Sequence, residues 1–152
     1  MNVSWDQYFI NIAKEVAQKS KDPSSKVGCV IVTEDNRPIS FGYNGHVSKC
    51  DEQLMSYERP IKYNLIIHAE MNAMIFAERS LRGCKAYVTH GPCDNCLKHL
   101  MQSGVTQIIY NDPGILKERG TAEQKDAIRR LLTARSIVCK NINGKNYLEE
   151  II

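Results

Sequence analysis

The stretch AYVTHGPCDNCLKHLMQSGVTQIIY, residues 86–110, changes its pattern twice. Ala86 to Thr89 is a short β-rich run, and Val105 to Tyr110 is another. Between them, Pro92 opens a helical segment that continues through Met101, and Gly104 closes it. Proline suits a first helical turn because its missing N–H has no intrahelical partner there, and glycine tolerates the conformation that ends a helix. Strand, helix and strand in this order predict a helical crossover between two strands of one sheet.

The segments on either side extend the pattern. Trp5 to Lys19 reads as an amphipathic helix with Ser4 as its N-cap, and Trp5, Tyr8, Phe9, Ile12 and Val16 recur at helical spacing. After a break at Ser20–Ser25, an apolar strand (Val27 to Thr33), a turn (Glu34 to Arg37) and a second strand (Pro38 to Tyr43) predict a hairpin. A long polar connection follows as far as about Lys62, and loops of that length inside a compact domain are usually functional or mobile. Asn64 to Ile67 lead into a helix that starts near His68 and carries Ala69, Met71, Ala73, Met74, Phe76 and Ala77. Beyond Tyr110 come a turn at Asn111-Asp112-Pro113-Gly114, a helix over Ala122–Ala134 with Ala127, Ile128, Leu131 and Leu132 on its apolar side, and a last strand at Ser136–Lys140. The tail to Ile152 has no assignment. The expected fold is α/β: a three-layer α/β/α sandwich with a mixed five-stranded sheet, in one domain spanning residues 1–152.

A chain of 152 residues with 43% hydrophobic and 24% charged residues is ordinary for a globular domain. Its net charge of +3 is too mild to argue for nucleic acid, and no stretch approaches a membrane span. Runs such as Lys117-Glu118-Arg119 and Asp126 to Arg130 interleave signs and read as solvated helix faces. Residues 1–12 hold Asp6 and no long apolar run, so no leader and a cytoplasmic location are expected. Without a secretory signal, the six cysteines argue for metal use rather than disulfides. Cys29 and Cys139 sit in apolar runs and read as small buried hydrophobes, while Cys50 and Cys84 have no assigned role.

The remaining cysteines, Cys93 and Cys96, stand three apart at the start of the crossover helix and can grip one ion. His68-Ala69-Glu70 sits at the start of another helix. A helix N-terminus favours thiolate over thiol, which helps metal binding. One histidine and two cysteines make a three-ligand zinc set, and three ligands leave a coordination position open for water. Glu70 need not ligate; it can face that open position and carry protons. Rival readings of Cys-x-x-Cys are a redox pair or half of a structural zinc site, with Cys84 or His90 as a fourth ligand. His-x-Glu followed by Pro-Cys-x-x-Cys is, however, the signature of the zinc-dependent nucleobase deaminases.

On these segments the chain resembles the cytidine/deoxycytidylate deaminase superfamily, and within it the dCMP deaminase branch. The narrower likeness adds Ser20-Lys21-Asp22-Pro23-Ser24-Ser25-Lys26-Val27-Gly28, Gly42-Tyr43-Asn44-Gly45, His68-Ala69-Glu70-Met71-Asn72-Ala73 and Tyr87-Val88-Thr89. The resemblance implies hydrolytic deamination of dCMP to dUMP and ammonia. In that reaction activated water attacks C4 of cytosine, and Glu70 shuttles the proton to N3 and then to the leaving amine. It further implies His68, Cys93 and Cys96 as ligands of one zinc ion per chain. The Ala69 N–H would hold the pyrimidine carbonyl, Asn44, Gly45 and His46 would contact sugar and phosphate, and Lys26 is a further phosphate candidate. Relatives are typically homo-oligomers, often hexamers, activated by dCTP and inhibited by dTTP with Mg2+. Asp22, Ser24, Lys26, Gly28, Tyr43, Asn44, Phe76 and Arg79 match regions associated with that control. Read without the resemblance, Phe76 is a core aromatic and Arg79 a solvated residue on the same helix face.

The sequence also departs from the branch. Cys50 and His46 are all that remains of a second, structural zinc found in some relatives. His46 stands where a small or apolar residue is expected, and His90-Gly91 before Pro92 is unusual. A deaminase of cytosine, a nucleoside or a tRNA adenosine is the alternative function, and a non-catalytic zinc or nucleotide-binding module is another.

Overall fold

Residues 2–152 are described by a computed structural model. Five strands form its sheet: β1 (Gly28–Val32), β2 (Pro38–Tyr43), β3 (Lys85–His90), β4 (Gln107–Asp112) and β5 (Val138–Asn141). Their order across the sheet is β2-β1-β3-β4-β5. β1 pairs antiparallel with both β2 and β3, while β3–β4 and β4–β5 run parallel, so the sheet is mixed.

The central strands are buried on both faces, and their residues alternate between two cores. Val30, Val32, Tyr87 and Ile109 pack with Phe9, Ile10 and Ala13 of helix α1 (Trp5–Ala17). Cys29, Ile31, Val88, Ile108 and Tyr110 face the opposite core. That core is closed by helices α3 (Ala69–Ile75), α4 (Asp94–Gln102), α6 (Ala122–Ala134) and α7 (Tyr147–Ile151), with Leu116 of α5 (Ile115–Arg119). A period-two strand buried on both sides reads as a continuous apolar run, as Gly28–Val32 does.

Gly42 fixes how closely α3 approaches the sheet. A Cβ at Gly42 would lie 2.2 Å from the Ala69 carbonyl oxygen and 2.4 Å from the Ala73 nitrogen. Only hydrogen fits, so the first turn of α3 rests directly on β2.

Several expectations need correction. Trp5 and Tyr8 are exposed and meet edge to face at the start of α1; Phe9, Ile10, Ala13 and Ala17 form the buried stripe. Pro92 precedes the helix instead of occupying its first turn, because Cys93 is extended and caps α4 with its own sulfur. Helix α3 ends at Ile75, and Glu78 takes a left-handed φ of 54°. Phe76 and Arg79 therefore share no helix face, and Phe76 is 56% exposed rather than core. The long connection after β2 contains a 3-10 turn (Glu52–Leu54) and the short helix α2 (Lys62–Leu65). The unassigned stretches 115–119 and 147–151 are helices α5 and α7.

Candidate active site and metal centre

His68 and Cys93 occupy equivalent places in the fold. Each is the N-cap of its helix, with extended dihedrals of φ −69°, ψ 155° and φ −72°, ψ 168° respectively. An N-cap residue is the last one outside the helix, so the helix start fixes where its backbone lies. Cys96 lies one turn inside α4, and its N–H donates to Cys93 Sγ at 3.4 Å.

These two helix starts bring three ligand atoms together. His68 Nδ1 lies 3.5 Å from Cys93 Sγ and 3.4 Å from Cys96 Sγ. Tetrahedral zinc, with bonds of about 2.3 Å to sulfur and about 2.0–2.1 Å to nitrogen, separates such atoms by about 3.6 Å. The donor set and spacing fit zinc. Among the described residues no other acidic, histidine or cysteine side chain joins the group. Cys84 turns its sulfur toward the Arg82 carbonyl, and His90 Nδ1 is 2.8 Å from Thr89 Oγ1. Neither rival fourth ligand is in place, so the triad keeps an open position.

The electrostatics suit metal uptake. The Cys96 S–H lowers the pKa of Cys93, which also gains from His68 and from the Cys96 N–H despite its burial. Cys96 is pushed up, chiefly by that same bond to Cys93 and by burial. A metal ion takes both sulfurs as thiolates, so its binding releases protons. Hydrogen bonding to Cys93 raises His68. Glu70 is almost fully buried, and burial, followed by the charge on Cys93, pushes its carboxyl up to about 7. A carboxyl poised near neutral pH exchanges protons in both directions.

His68, Cys93 and Glu70 line a cavity of about 620 Å3. Ala69, Asn44, His90 and Gly91 also line it. Arg59, Lys62 and Arg119 bring three cations to the same cavity.

A cytidine and deoxycytidylate deaminase zinc-binding region matches residues 3–112, which contain every ligand described above. The chain belongs to this deaminase family. The deoxycytidylate deaminase of Mus musculus is 36% identical over 115 residues, or 71% of this chain. The chain spans 65% of that relative's length. The deoxycytidylate deaminase of Mycobacterium phage D29 is 35% identical over 120 residues, covering 70% of this chain and 93% of its own. An uncharacterized deaminase of Aliivibrio fischeri reaches 43% over 104 residues, 68% of this chain and 70% of its own. Among solved structures, the dCMP deaminase from cyanophage S-TIM5 in complex with dCMP and dUMP superposes with a TM-score of 0.69. It is 23% identical, covers 93% of this chain and 99% of that one, and so speaks for the fold.

Within this deaminase fold, the other residues singled out from the sequence scatter. Asn44 spends its side chain on the loop before β1: Oδ1 accepts from the Val27 N–H at 2.8 Å and Nδ2 donates to the Ser25 carbonyl at 2.9 Å. Lys26, Gly45 and His46 are absent from the cavity wall. Lys26 donates instead to the Ser20 carbonyl. His46 is stacked on Tyr57 with ring centroids 4.1 Å apart, and its nitrogens meet Glu52 Oε2 at 2.9 Å and the Ser56 carbonyl at 3.2 Å. It staples the loop that precedes α2. Asp22 and Ser24 form a polar cluster with Lys62, while Gly28 lies beneath α1. Tyr43 accepts from the Asn72 amide through its carbonyl. Phe76 and Arg79 lie past the far end of α3, away from this cluster.

Arg59, Lys62 and Arg119 escaped the sequence reading altogether. Arg119 sits in a run of mixed charge that reads as solvent-facing, and only the turn of α5 brings it to the cavity.

Proposed function

We propose that this chain hydrolyses dCMP to dUMP and ammonia, with Glu70 as proton carrier and His68, Cys93 and Cys96 as zinc ligands. The observation that carries the proposal is the cavity itself. His68 and Cys93 of the metal triad and the buried carboxyl of Glu70 line it, and Arg59, Lys62 and Arg119 line it too. Lys62 is already paired with Asp22, which leaves the two arginines for an anionic group on the substrate. Relatives named deoxycytidylate deaminase at 35–36% identity support the same substrate.

Zinc bound by the triad supplies the Lewis acidity that makes water nucleophilic near neutral pH. Glu70 would take one proton from the attacking water and pass it to the pyrimidine N3, then take the second from the new C4 hydroxyl and pass it to the departing amine. A C4–O bond forms, the C4–N bond breaks, and ammonia leaves. The N–H of Ala69, first of α3, has no intrahelical acceptor and is free to hold the pyrimidine carbonyl. Arg59 and Arg119 take the 5′-phosphate, and Asn44 shapes the wall by fixing residues 25–27. Family resemblance alone extends the proposal to a cytoplasmic homo-hexamer controlled by dCTP and dTTP with Mg2+.

A substrate panel tests this reading. The zinc-loaded protein is given dCMP, deoxycytidine, cytosine and cytidine, and loss of cytosine absorbance is followed with and without dCTP. The proposal expects dCMP to be the best substrate. Preference for deoxycytidine or cytosine over dCMP removes the phosphate from the account.

A further inference from the structure

The family match ends at residue 112, but the metal loop is held from beyond it. Tyr147, the first residue of α7, is fully buried, and its hydroxyl donates to the Pro92 carbonyl at 2.7 Å. Pro92 immediately precedes the ligand Cys93. A peptide plane is rigid, so fixing the carbonyl of Pro92 also fixes the orientation of the Cys93 N–H and the place of the Cys93 Cα.

The ring of Tyr147 is held as firmly as its hydroxyl. It packs edge-on against Tyr110 at 4.9 Å, and the Tyr110 hydroxyl donates to Glu150 Oε1 at 2.6 Å, one turn along α7. On the other side the ring touches the loop itself. A Cβ at Gly91 would lie 2.5 Å from Tyr147 Cε1 and 2.7 Å from the Pro113 carbonyl oxygen. The Gly91 N–H donates to the Asp112 carbonyl at 2.7 Å. Residues 91–93 are thus clamped between the end of β4 and α7. The unusual glycine before Pro92 has a reason: it makes room for this tyrosine.

We propose that Tyr147 is a positioning residue for the metal centre, and that α7 sets where Cys93 places its sulfur. Outer-shell partners of metal ligands act by fixing ligand orientation, and losing one typically weakens metal affinity about 10–100-fold. Tyr147 acts one bond further out, through the backbone, and its removal belongs at about the tenfold end of that range. The inference rests on the zinc triad and is independent of which base or nucleotide the enzyme prefers.

Zinc affinity measured by chelator competition on the full chain tests it, with no substrate present. Tyr147→Phe keeps the ring and removes the hydroxyl; it is expected to raise the zinc dissociation constant about tenfold and to shift the thiolate-to-metal band of the Co2+-substituted protein. Tyr110→Phe deletes the neighbouring hydroxyl without touching Pro92, and is expected to lower the melting temperature while leaving zinc affinity unchanged. Gly91→Ala keeps both hydroxyls but wedges a methyl between the ring and the Pro113 carbonyl, and is expected to weaken zinc binding as well. This variant decides the matter if Tyr147→Phe does not fold. Wild-type zinc affinity in either Tyr147→Phe or Gly91→Ala overturns the proposal. So does an equal loss in Tyr110→Phe, which would make the effect one of general stability.

Discussion

Asp22 and Lys62 form an ion pair with Nζ and Oδ2 2.6 Å apart, their side chains 0% and 6% exposed. It is the one pair among the described residues with both side chains buried, and Asp22 Oδ2 has no hydrogen-bond donor besides that ammonium. Its other oxygen accepts from the Ser24 N–H and hydroxyl, each at 2.9 Å. The pair ties the loop before β1 to α2, and Lys62 carries it to the cavity wall.

Removing one member should cost more than removing both. Asp22→Asn leaves a buried ammonium unpaired and is expected to lose about 3 kcal/mol, the low end of the usual cost because Lys62 borders an open cavity. Asp22→Asn combined with Lys62→Met is expected to lose less, as measured by urea unfolding at pH 7.

The same pair sets an acid limit. Burial pushes Asp22 up, but the Lys62 ammonium and the Ser24 and Ser25 donors outweigh it and hold the carboxyl below its ordinary value of 3.8. A folded-state value below the unfolded one contributes stability that is complete above 3.8 and lost as pH falls through the folded value. The stability gap between wild type and Asp22→Asn should therefore persist from neutral pH down to about 5 and shrink in more acidic urea titrations.

Glu70→Gln separates chemistry from metal binding. Glu70 lies outside the ligand set, so the variant is expected to fold and to retain zinc. Its turnover should fall by about 10²–10⁴ through loss of general acid–base catalysis. His68→Ala or Cys93→Ala should lose the metal as well. Metal analysis beside initial rates distinguishes the two outcomes.

Arg59→Ala and Arg119→Ala should each act on recognition of the phosphate. A lost charge-assisted hydrogen bond is expected to raise the KM for dCMP by about tenfold or more while deoxycytidine turnover stays as it was. Kinetics on the paired substrates checks this. Equal losses on both would move the arginines out of the phosphate site.

The sequence carried the metal chemistry because that chemistry is local. Cys93 and Cys96 stand three apart and Glu70 two from His68, so the donor types and their spacing are visible in short stretches of sequence. Helix α6 was legible to its bounds from the spacing of Ala127, Ile128, Leu131 and Leu132, and the structure adds a reciprocal cap by Thr121 and Gln124. The substrate side was hidden because it is assembled from distant, short segments. Arg59 lies in a loop, Lys62 in a four-residue helix and Arg119 at the end of a five-residue one. No periodic pattern marks pieces that short. His46 and Lys26 misled for a related reason: their side chains turn to nearby backbone carbonyls and a carboxylate that only the folded loops supply.

The most direct measurement is product stoichiometry under metal control. Zinc-loaded protein is incubated with dCMP, dUMP and ammonia are quantified, and the assay is repeated after chelation and after zinc is restored. The account predicts equal amounts of dUMP and ammonia, abolished by the chelator and recovered with zinc. A fully zinc-loaded protein that releases no ammonia from dCMP, or turnover that survives complete metal removal, would contradict it.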